Sequence, residues 1–280
     1  MKIDIPCILN KKKNREKISM LTAYDCSFAP LVDEAGIDIV LIGDSLANVV
    51  LGMETTKEIS MDEMINHSRA VAKSTKNAMV IGDMPYCAYQ EHPDEALGHA
   101  KRFIDEAGCD AVKLEWFDDA LAVTERIVGS GIPVMAHIGL TPQTADLLGG
   151  FKVQGKDVDT AKKLIAQTKG FEEAGCFSIV FECVPWQIAK IITESTRMAT
   201  IGIGAGVHCD GQVLVLNDLL GLFKAFRPKF VKTYANLAET TVSAVKQYIQ
   251  EVERGAFPTD KESFSMNEEE FEKLQALLGD

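Results

Sequence analysis

Short runs of β-branched and other apolar residues recur along the chain, and segments with helical spacing separate them. The runs cover 18–22, 38–43, 78–82, 110–115, 132–137, 177–182, 199–204 and 229–233. Nearly all of them are continuously apolar, a pattern typical of parallel strands that are covered on both faces. The chain is therefore predicted to contain eight parallel strands, beginning with ISMLT and ending with KFVKT.

The intervening segments carry helix start and stop signals. Ser60 and Glu63 have the spacing of a capping box. The segment at 93–108 opens on proline and acidic residues and closes on glycine, and the segment at 159–175 closes in the same way. Helices are thus expected between consecutive strands.

Eight strand–helix units predict an α/β fold of the (β/α)8 type, a TIM barrel, for which about 250 residues is typical. The 280 residues leave room for a short N-terminal lead-in and a C-terminal helical tail from about 265. We therefore expect a single domain over 1–280. A doubly wound sheet is the alternative, but its first turn usually carries a Gly-rich phosphate loop. The segment TAYDCS at 22–27 carries none.

Charge and targeting signals narrow the function classes. The net charge of −12 argues against an extended nucleic-acid surface. The basic run at 11–17 is expected to be a solvated lead-in, with a binding role as the alternative. The N-terminal ten residues lack the apolar stretch of a signal peptide, and no later run is long enough to span a bilayer. Seven cysteines without a CxxC pair indicate reduced thiols, so we expect a cytoplasmic protein without membrane contact.

Polar side chains collect where the predicted strands end. In (β/α)8 barrels the C-terminal ends of the strands carry the chemistry. The residues at these ends are Asp44, Ser45, Asp83, Lys113, Glu115, His137 and Glu182. Clustered carboxylates repel one another unless a cation lies among them. The sequence therefore predicts a metal site at this end of the barrel.

The donor types indicate which metal and which base to expect. Oxygen ligands suit a hard cation such as Mg2+, and Asp44, Asp83 and Glu115 are its predicted ligands. A fourth carboxylate exceeds what one divalent ion tolerates, so Glu182 is expected to act as a base. Alternation along FSIVFE turns the next residue, Cys183, toward the helix layer, where we expect a structural role.

Two residues at the strand ends have open roles. Lys113 either balances the neighbouring acids or binds a substrate carboxylate. A Schiff-base role is a third reading, which is disfavoured because a lysine beside a metal-bound acid stays protonated. His137 is either a hydrogen-bonded core histidine or a donor and proton shuttle to substrate or cofactor.

The chain resembles the ketopantoate hydroxymethyltransferase family, also called 3-methyl-2-oxobutanoate hydroxymethyltransferases. The matching segments run in order from residue 20 to about 264: MLTAYD, VDEAGIDIVLIGDSL, IGDMP, VKLE, AHIGLTPQ, FECVP, TIGIGAG, CDGQVLV, PKFVKTYANLAE and a terminal FP…SF. The resemblance implies a barrel of the phosphoenolpyruvate/pyruvate superfamily type. It also implies a homo-oligomer, a decamer, that acts in the first step of pantothenate synthesis.

The reaction that the resemblance implies uses two small molecules, a 2-oxo acid and a folate. A hydroxymethyl group passes from 5,10-methylenetetrahydrofolate to 3-methyl-2-oxobutanoate and gives 2-dehydropantoate. The 2-oxo acid chelates Mg2+, which stabilises the charge that grows on its keto oxygen. A general base takes the proton from the adjacent carbon, and the enolate attacks the one-carbon unit.

The resemblance also implies a role for each residue at the strand ends. Asp44 and Asp83 correspond to direct Mg2+ ligands, and Glu115 to a ligand that binds directly or through water. The expected substrate contacts are Ser45, Lys113, Asp44, Asp83 and His137. Glu182 corresponds to the general base.

Four residues depart from the family's usual pattern. Ala47 and Asn48 stand where glycine and methionine are common, and Trp116 and Phe117 replace glycines. Two bulky rings beside Glu115 are expected to narrow the mouth of the site on the folate side. This leaves two rival functions: a Mg2+-dependent lyase or aldolase on a related 2-oxo acid, which needs no folate, and a non-catalytic paralogue. The retained charged residues argue against the second rival.

Overall fold

Eight parallel strands form a closed barrel in sequence order in the computed structural model, which describes residues 2–90, 92–147, 149–223 and 228–279. The strands are β1 (Ile18–Thr22), β2 (Ile39–Ile42), β3 (Met79–Asp83), β4 (Ala111–Glu115), β5 (Val134–Gly139), β6 (Ser178–Glu182), β7 (Ala199–Ile203) and β8 (Gly211–Leu214). The predicted (β/α)8 architecture is confirmed, and the first seven strands lie within two residues of their predicted positions.

The eighth strand was predicted in the wrong place. KFVKT at 229–233 forms no strand, and the barrel closes instead through Gly211–Leu214, which pairs with β1 and β7. Only residues 204–210 separate β7 from β8, and this connection contains no helix. The prediction assumed a helix before every strand, and the Gly-Gln start of β8 lowers its apparent strand propensity. Gly211 is needed there because an added Cβ would lie 2.5 Å from the carbonyl oxygen of Ile18.

Helices follow most strands and cover the barrel. The α-helices are α1 (Ile5–Asn14), α2 (Phe28–Glu34), α3 (Leu46–Val49), α4 (Met61–Ser74), α5 (Pro93–Asp105), α6 (Ala120–Val128), α7 (Val158–Glu173), α8 (Trp186–Ser195), α9 (Leu216–Leu219), α10 (Leu237–Glu253) and α11 (Glu268–Leu278). The predicted capping box of Ser60 and Glu63 is present at the start of α4. Within the described ranges, none of these helices combines the length and apolar character that crossing a bilayer requires.

The barrel interior is apolar, and α1 covers its N-terminal end. The interior is filled by Met20, Ile39, Leu41, Met79, Ile81, Met135, Val180, Ile201 and Val213. Ile8 of α1 is fully buried against this cluster, and Ile5 and Leu9 pack beside it. The apolar plug at one end leaves the opposite, C-terminal end for polar side chains.

Aspartates and lysines hold the N-terminal end together. Asp38, Asp110 and Asp210 each precede a strand and accept a backbone N–H from the first residues of the preceding strand. Each also binds one lysine of the N-terminal segment; the pairs are Lys11–Asp38, Lys2–Asp110 and Lys12–Asp210. The expectation of a solvated basic run is therefore wrong for Lys11 and Lys12, because a sequence pattern does not show which acids face a lysine.

The chain divides into two compact units. The first comprises residues 1–219 and 223–232 and contains the barrel; the second comprises 220–222 and 233–280. The second unit contains α10 and α11, and the side chains of both helices are largely exposed. Helix α11 lies in the segment for which a helical tail is expected.

Candidate active site

Strand register brings the charged residues at the C-terminal end of the barrel into adjacent pairs. Asp83 on β3 is the register partner of Lys113 on β4. Two residues further along β4, Glu115 is the partner of His137 on β5. Neighbouring parallel strands lie about 4.8 Å apart, so register partners on one face are in contact. The pairing of acid with base is therefore a consequence of where each strand starts.

Asp83 is the centre of one group of contacts. The Nζ atom of Lys113 lies 2.7 Å from both carboxylate oxygens of Asp83. The backbone N–H of Asp44 donates to the same carboxylate at 3.1 Å. Asp44 follows β2 and is itself buried, and its Oδ2 atom has no hydrogen-bond partner. Lys113 thus balances the acids, one of the two roles that its position allows.

Burial and mutual repulsion shift the pKa values in this group upward. Burial raises the pKa of Asp83 to about 7, and although Lys113 opposes this shift, the charges of Asp44 and Glu115 add to it. Burial lowers the pKa of Lys113, but the surrounding carboxylates outweigh it and the net shift is upward. Lys113 is therefore protonated at neutral pH, which is inconsistent with a Schiff-base role.

His137 connects two carboxylates. Its Nδ1 atom lies 3.2 Å from Oε1 of Glu115, and its Nε2 atom lies 3.3 Å from Oε2 of Glu182. These are ion-pair distances without the alignment of hydrogen bonds. Burial and the charge of Lys113 lower the pKa of His137, but the two carboxylates outweigh both and raise it to about 9. His137 is thus an imidazolium at neutral pH rather than a neutral core histidine.

The backbone fixes the position of Glu182. Gly139, at the end of β5, has φ +98°, and an added Cβ would lie 2.3 Å from the Glu182 carbonyl oxygen. The N–H of Leu140 donates to that oxygen at 2.8 Å. Cys183 has φ +49°, an uncommon value for a residue with a side chain. This turn ends the strand directly after Glu182, whose side chain is 16% exposed and accessible to a ligand.

Relatives of this chain carry one functional name. The family model of ketopantoate hydroxymethyltransferase matches residues 2–260. The chain belongs to this family. A 3-methyl-2-oxobutanoate hydroxymethyltransferase of Syntrophomonas wolfei is 52% identical over 98% of this chain and 99% of its own length. One of Clostridium botulinum is 51% identical over 94% of this chain and 96% of its own. The resemblance stated from the sequence segments is confirmed.

Solved structures with low sequence identity share the fold. A phosphonopyruvate hydrolase in complex with oxalate and Mg++ has a TM-score of 0.59 at 13% identity, covering 99% of this chain and 98% of its own. A 2,3-dimethylmalate lyase of the PEP mutase/isocitrate lyase superfamily has a TM-score of 0.57 at 14% identity, covering 99% and 100%. These likenesses support the (β/α)8 barrel fold of this chain.

The aromatic residues that depart from the family's pattern pack against protein side chains. Trp116 makes an edge contact with Phe171 of α7, at 5.5 Å between ring centroids. It therefore packs in the helix layer, as expected from the alternation of side chains after Glu115. The Phe117 ring lies 5.2 Å from the ring of Tyr89, which is buried.

The oxygen donors at this end fit a hard divalent cation. Asp44 Oδ2 is buried without a hydrogen-bond partner, an unfavourable state for a carboxylate unless a cation compensates it, whereas Glu115 Oε1 lies 3.2 Å from His137 Nδ1. Among the described residues, no group of three or more Asp, Glu, His or Cys side chains is spaced to hold a metal ion together. Mg2+ is usually held by one or two carboxylates, with other oxygen ligands completing its shell. A cation at this end would therefore be held by one or two of these carboxylates together with oxygen atoms of water or substrate.

The sequence analysis missed the polar residues that support Glu115. The backbone N–H of Gln143 donates to Glu115 Oε2 at 3.0 Å, and its side-chain amide donates to the Met84 carbonyl at 3.2 Å. The Tyr89 hydroxyl donates to the Gln143 side-chain oxygen. Gln143 is fully buried and joins the ends of β3, β4 and β5. The only available signal was its place at the end of the segment AHIGLTPQ, which also contains His137.

Proposed function

We propose that this chain transfers a hydroxymethyl group from 5,10-methylenetetrahydrofolate to 3-methyl-2-oxobutanoate and forms 2-dehydropantoate, the first step of pantothenate synthesis. The observation that carries the proposal is the Glu115–His137–Glu182 chain of contacts beside the buried carboxylates of a ketopantoate hydroxymethyltransferase family member. This arrangement offers a cation site and a partly exposed carboxylate base at the same end of the barrel.

The 2-oxo acid binds through its own charge. Asp44 and Asp83 would hold Mg2+ directly, and Glu115 would do so directly or through water. When bound, Mg2+ supplies a Lewis acid that stabilises negative charge on the keto oxygen. Lys113 and the Ser45 hydroxyl bind the substrate carboxylate, since Lys113 keeps its proton and Ser45 lies beside Asp44. Asp44, Asp83 and His137 line the same substrate site.

Glu182 acts as the general base. His137 carries a positive charge at one edge of Glu182 and fixes the carboxylate with its free oxygen toward the substrate. Glu182 takes the proton from C3 of the 2-oxo acid. Water releases the methylene unit of the folate as formaldehyde, and tetrahydrofolate leaves. The resulting carbon nucleophile adds to the formaldehyde carbon, and the new hydroxymethyl oxygen takes up the proton held by Glu182. His137 stays paired with Glu115 throughout, which keeps the imidazolium in place.

We also propose a cytoplasmic homo-oligomer, in line with the decamer that the family resemblance implies. Val242, Val245, Ile249 and Val252 repeat at spacings of three and four residues along α10, and all of them are exposed in the single chain. A stripe with this spacing is typical of a helix face that packs against another element. Light scattering of the purified protein measures the subunit number, and a monomer would contradict this assignment.

Hydrogen exchange at C3 of 3-methyl-2-oxobutanoate in D2O, followed by NMR, tests the proposed reaction. We expect exchange with Mg2+ and none with EDTA, because proton removal needs the charge on the keto oxygen stabilised. A product assay with 5,10-methylenetetrahydrofolate then tests the transfer. Exchange without transfer would favour a lyase or aldolase on a related 2-oxo acid. No exchange from folded protein would favour a non-catalytic paralogue.

A further inference from the structure

Tyr24 is buried next to the site, and the proposed reaction gives this residue no role. It lies in the segment TAYD, directly after β1, and it is 4% exposed. Its hydroxyl lies 2.8 Å from Oγ of Ser45. Its backbone carbonyl lies 2.6 Å from Nδ1 of His67 on α4. Tyr24 is thus held at both ends, with its hydroxyl against a residue proposed to bind substrate.

Either hydroxyl has a proton to donate in the contact between Tyr24 and Ser45. The backbone N–H of Leu216 donates to Oγ1 of Thr22 at 3.0 Å, so the Thr22 hydroxyl keeps its own proton for the Tyr24 oxygen. Burial raises the pKa of Tyr24, although its contacts with Ser45 and Thr22 oppose the shift. The Tyr24 hydroxyl therefore stays protonated and is available to donate to Ser45 Oγ. The Ser45 proton is then free to point away from Tyr24.

Gly43 leaves the space in which the Ser45 hydroxyl lies. An added Cβ at position 43 would lie 3.0 Å from Ser45 Oγ and 3.4 Å from Cδ2 of Leu41. The Gly43 backbone does not require glycine, because its φ lies outside the left-handed range. Glycine at position 43 therefore leaves room for the Ser45 hydroxyl, which the Tyr24 hydroxyl contacts.

We propose that Tyr24 is a positioning residue that directs the Ser45 proton toward a carboxylate oxygen of the 2-oxo acid. The proposal rests on the proposed function, which gives Ser45 that substrate contact. A hydroxyl held in place by one neighbour loses less entropy when it donates to a charged acceptor. Tyr24 is therefore expected to affect binding of the 2-oxo acid, while proton removal by Glu182 on β6 changes little.

A double-mutant cycle tests this role. Binding of 3-methyl-2-oxobutanoate in the presence of Mg2+ and without folate is measured by calorimetry for wild type, Tyr24→Phe, Ser45→Ala and the double variant. Ser45→Ala is expected to weaken binding about 10- to 50-fold, as for loss of a hydrogen bond to a charged group. Tyr24→Phe is expected to weaken it about 5- to 10-fold and to change kcat at saturation by less than about 3-fold. The double variant should bind about as weakly as Ser45→Ala, because both changes remove one interaction.

Controls separate the positioning role from the function on which it rests. Tyr248→Phe on α10, with an exposed ring, is the matched control and should bind as wild type does. Wild-type binding by Tyr24→Phe, or independent effects that multiply in the double variant, would overturn the positioning role alone. Failure of wild type to bind the 2-oxo acid would overturn the proposed function as well. If Tyr24→Phe does not fold, Gly43→Ala displaces the same hydroxyl, and binding that is not at least about 3-fold weaker would overturn the placement.

Discussion

At the scale of single residues, the contact with His137 is expected to decide how Glu182 acts as the proposed base. A carboxylate that must take a proton from carbon needs a fixed position and an accessible oxygen. The imidazolium ring meets these needs by contacting one oxygen of Glu182 at 3.3 Å, while Glu115 holds the other side of the ring. The order acid–imidazolium–acid places negative charge at both ends of one cation. Glu182 therefore stays beside the buried cluster without being buried in it.

The variant Glu182→Gln tests the base directly. The amide keeps the size and the contact with His137 but cannot accept a proton from C3. We expect C3 exchange in D2O to fall at least about 100-fold, within the usual effect of losing a general base. Binding of Mg2+ and of 3-methyl-2-oxobutanoate should change less than about 3-fold.

The matched control for this variant is Glu194→Gln, an exposed carboxylate on α8, the helix that follows β6. It should exchange the C3 proton at the wild-type rate. Normal exchange by Glu182→Gln would assign the proton abstraction to another residue.

The residues at the strand ends were accessible to sequence reasoning because each follows a continuously apolar run. Asp44, Asp83 and Glu182 are conspicuous for this reason. Tyr24 and Gln143 are equally buried, but they lie in loops one layer further out. A single polar residue in a loop has no periodic pattern, so only contacts in space identify it.

At the scale of elements, Asp33 ties α2 to the start of β3. Its carboxylate accepts the backbone N–H groups of Lys76, Asn77 and Ala78, at 2.7 to 3.2 Å. These groups precede β3, whose last residue is Asp83. The position of Asp83 therefore depends on where this loop places the start of β3.

Asp33→Ala is expected to lower the free energy of unfolding by about 2–3 kcal/mol at pH 7, because it leaves backbone donors unsatisfied. Burial raises the pKa of Asp33, but the backbone N–H groups outweigh it and the net shift is downward. The stabilisation is therefore present above the unfolded pKa of about 4 and is lost as the pH falls through the lower folded value.

Urea unfolding of wild type and Asp33→Ala at several pH values measures this difference. The gap between the two should shrink below about pH 4. Glu34→Ala, the exposed neighbour on the same helix, is the matched control and should unfold as wild type does. A gap that stays constant down to pH 3 would mean that packing, not the carboxylate charge, accounts for the loss.

The misplaced eighth strand shows where element prediction reaches its limit. Seven strands precede or follow helices with clear start and stop signals, and the alternation of the two element types identifies them. The link from β7 to β8 spans only residues 204–210, so no helix marks the eighth strand. A four-residue strand beginning with Gly211 is too short and too weakly apolar for a pattern to detect.

At the scale of the whole molecule, the two ends of the barrel differ in how their charged side chains are paired. The N-terminal end pairs each of three aspartates with a lysine and a backbone donor, so its charges are compensated. The C-terminal end also contains ion pairs, those of Lys113 and His137, but Asp44 Oδ2 there is buried without a hydrogen-bond partner. The ion pairs that stabilise the fold and the residues of the proposed reaction thus lie at opposite ends of the strands, as in other barrels of this type.

Lys12→Met tests the N-terminal end. Lys12 donates to Asp210 at 2.7 Å and to the Thr193 carbonyl at 3.2 Å, and methionine keeps its length while removing the charge. We expect a loss of about 1–2 kcal/mol in the free energy of unfolding, between the values for exposed and buried ion pairs. The values of kcat and KM should not change, since the substitution lies at the opposite end from the site. Lys13→Met, an exposed neighbour, is the control.

Glu115→Gln tests the C-terminal end. Here we expect the substitution to leave the free energy of unfolding unchanged or to raise it. Burial raises the pKa of Glu115, although the positive charges of His137 and Lys113 oppose the shift, so the folded state disfavours its charged form. Glutamine removes that charge, and its side-chain oxygen can still accept the Gln143 N–H. In EDTA the variant should therefore unfold at the same temperature as wild type or higher, yet lose transferase activity with Mg2+ and both substrates. If its unfolding temperature is as low as that of Lys12→Met or lower, Glu115 stabilises the fold through its contact with His137. Stabilising residues and residues of the proposed reaction would then not be separated between the two ends of the barrel at Glu115.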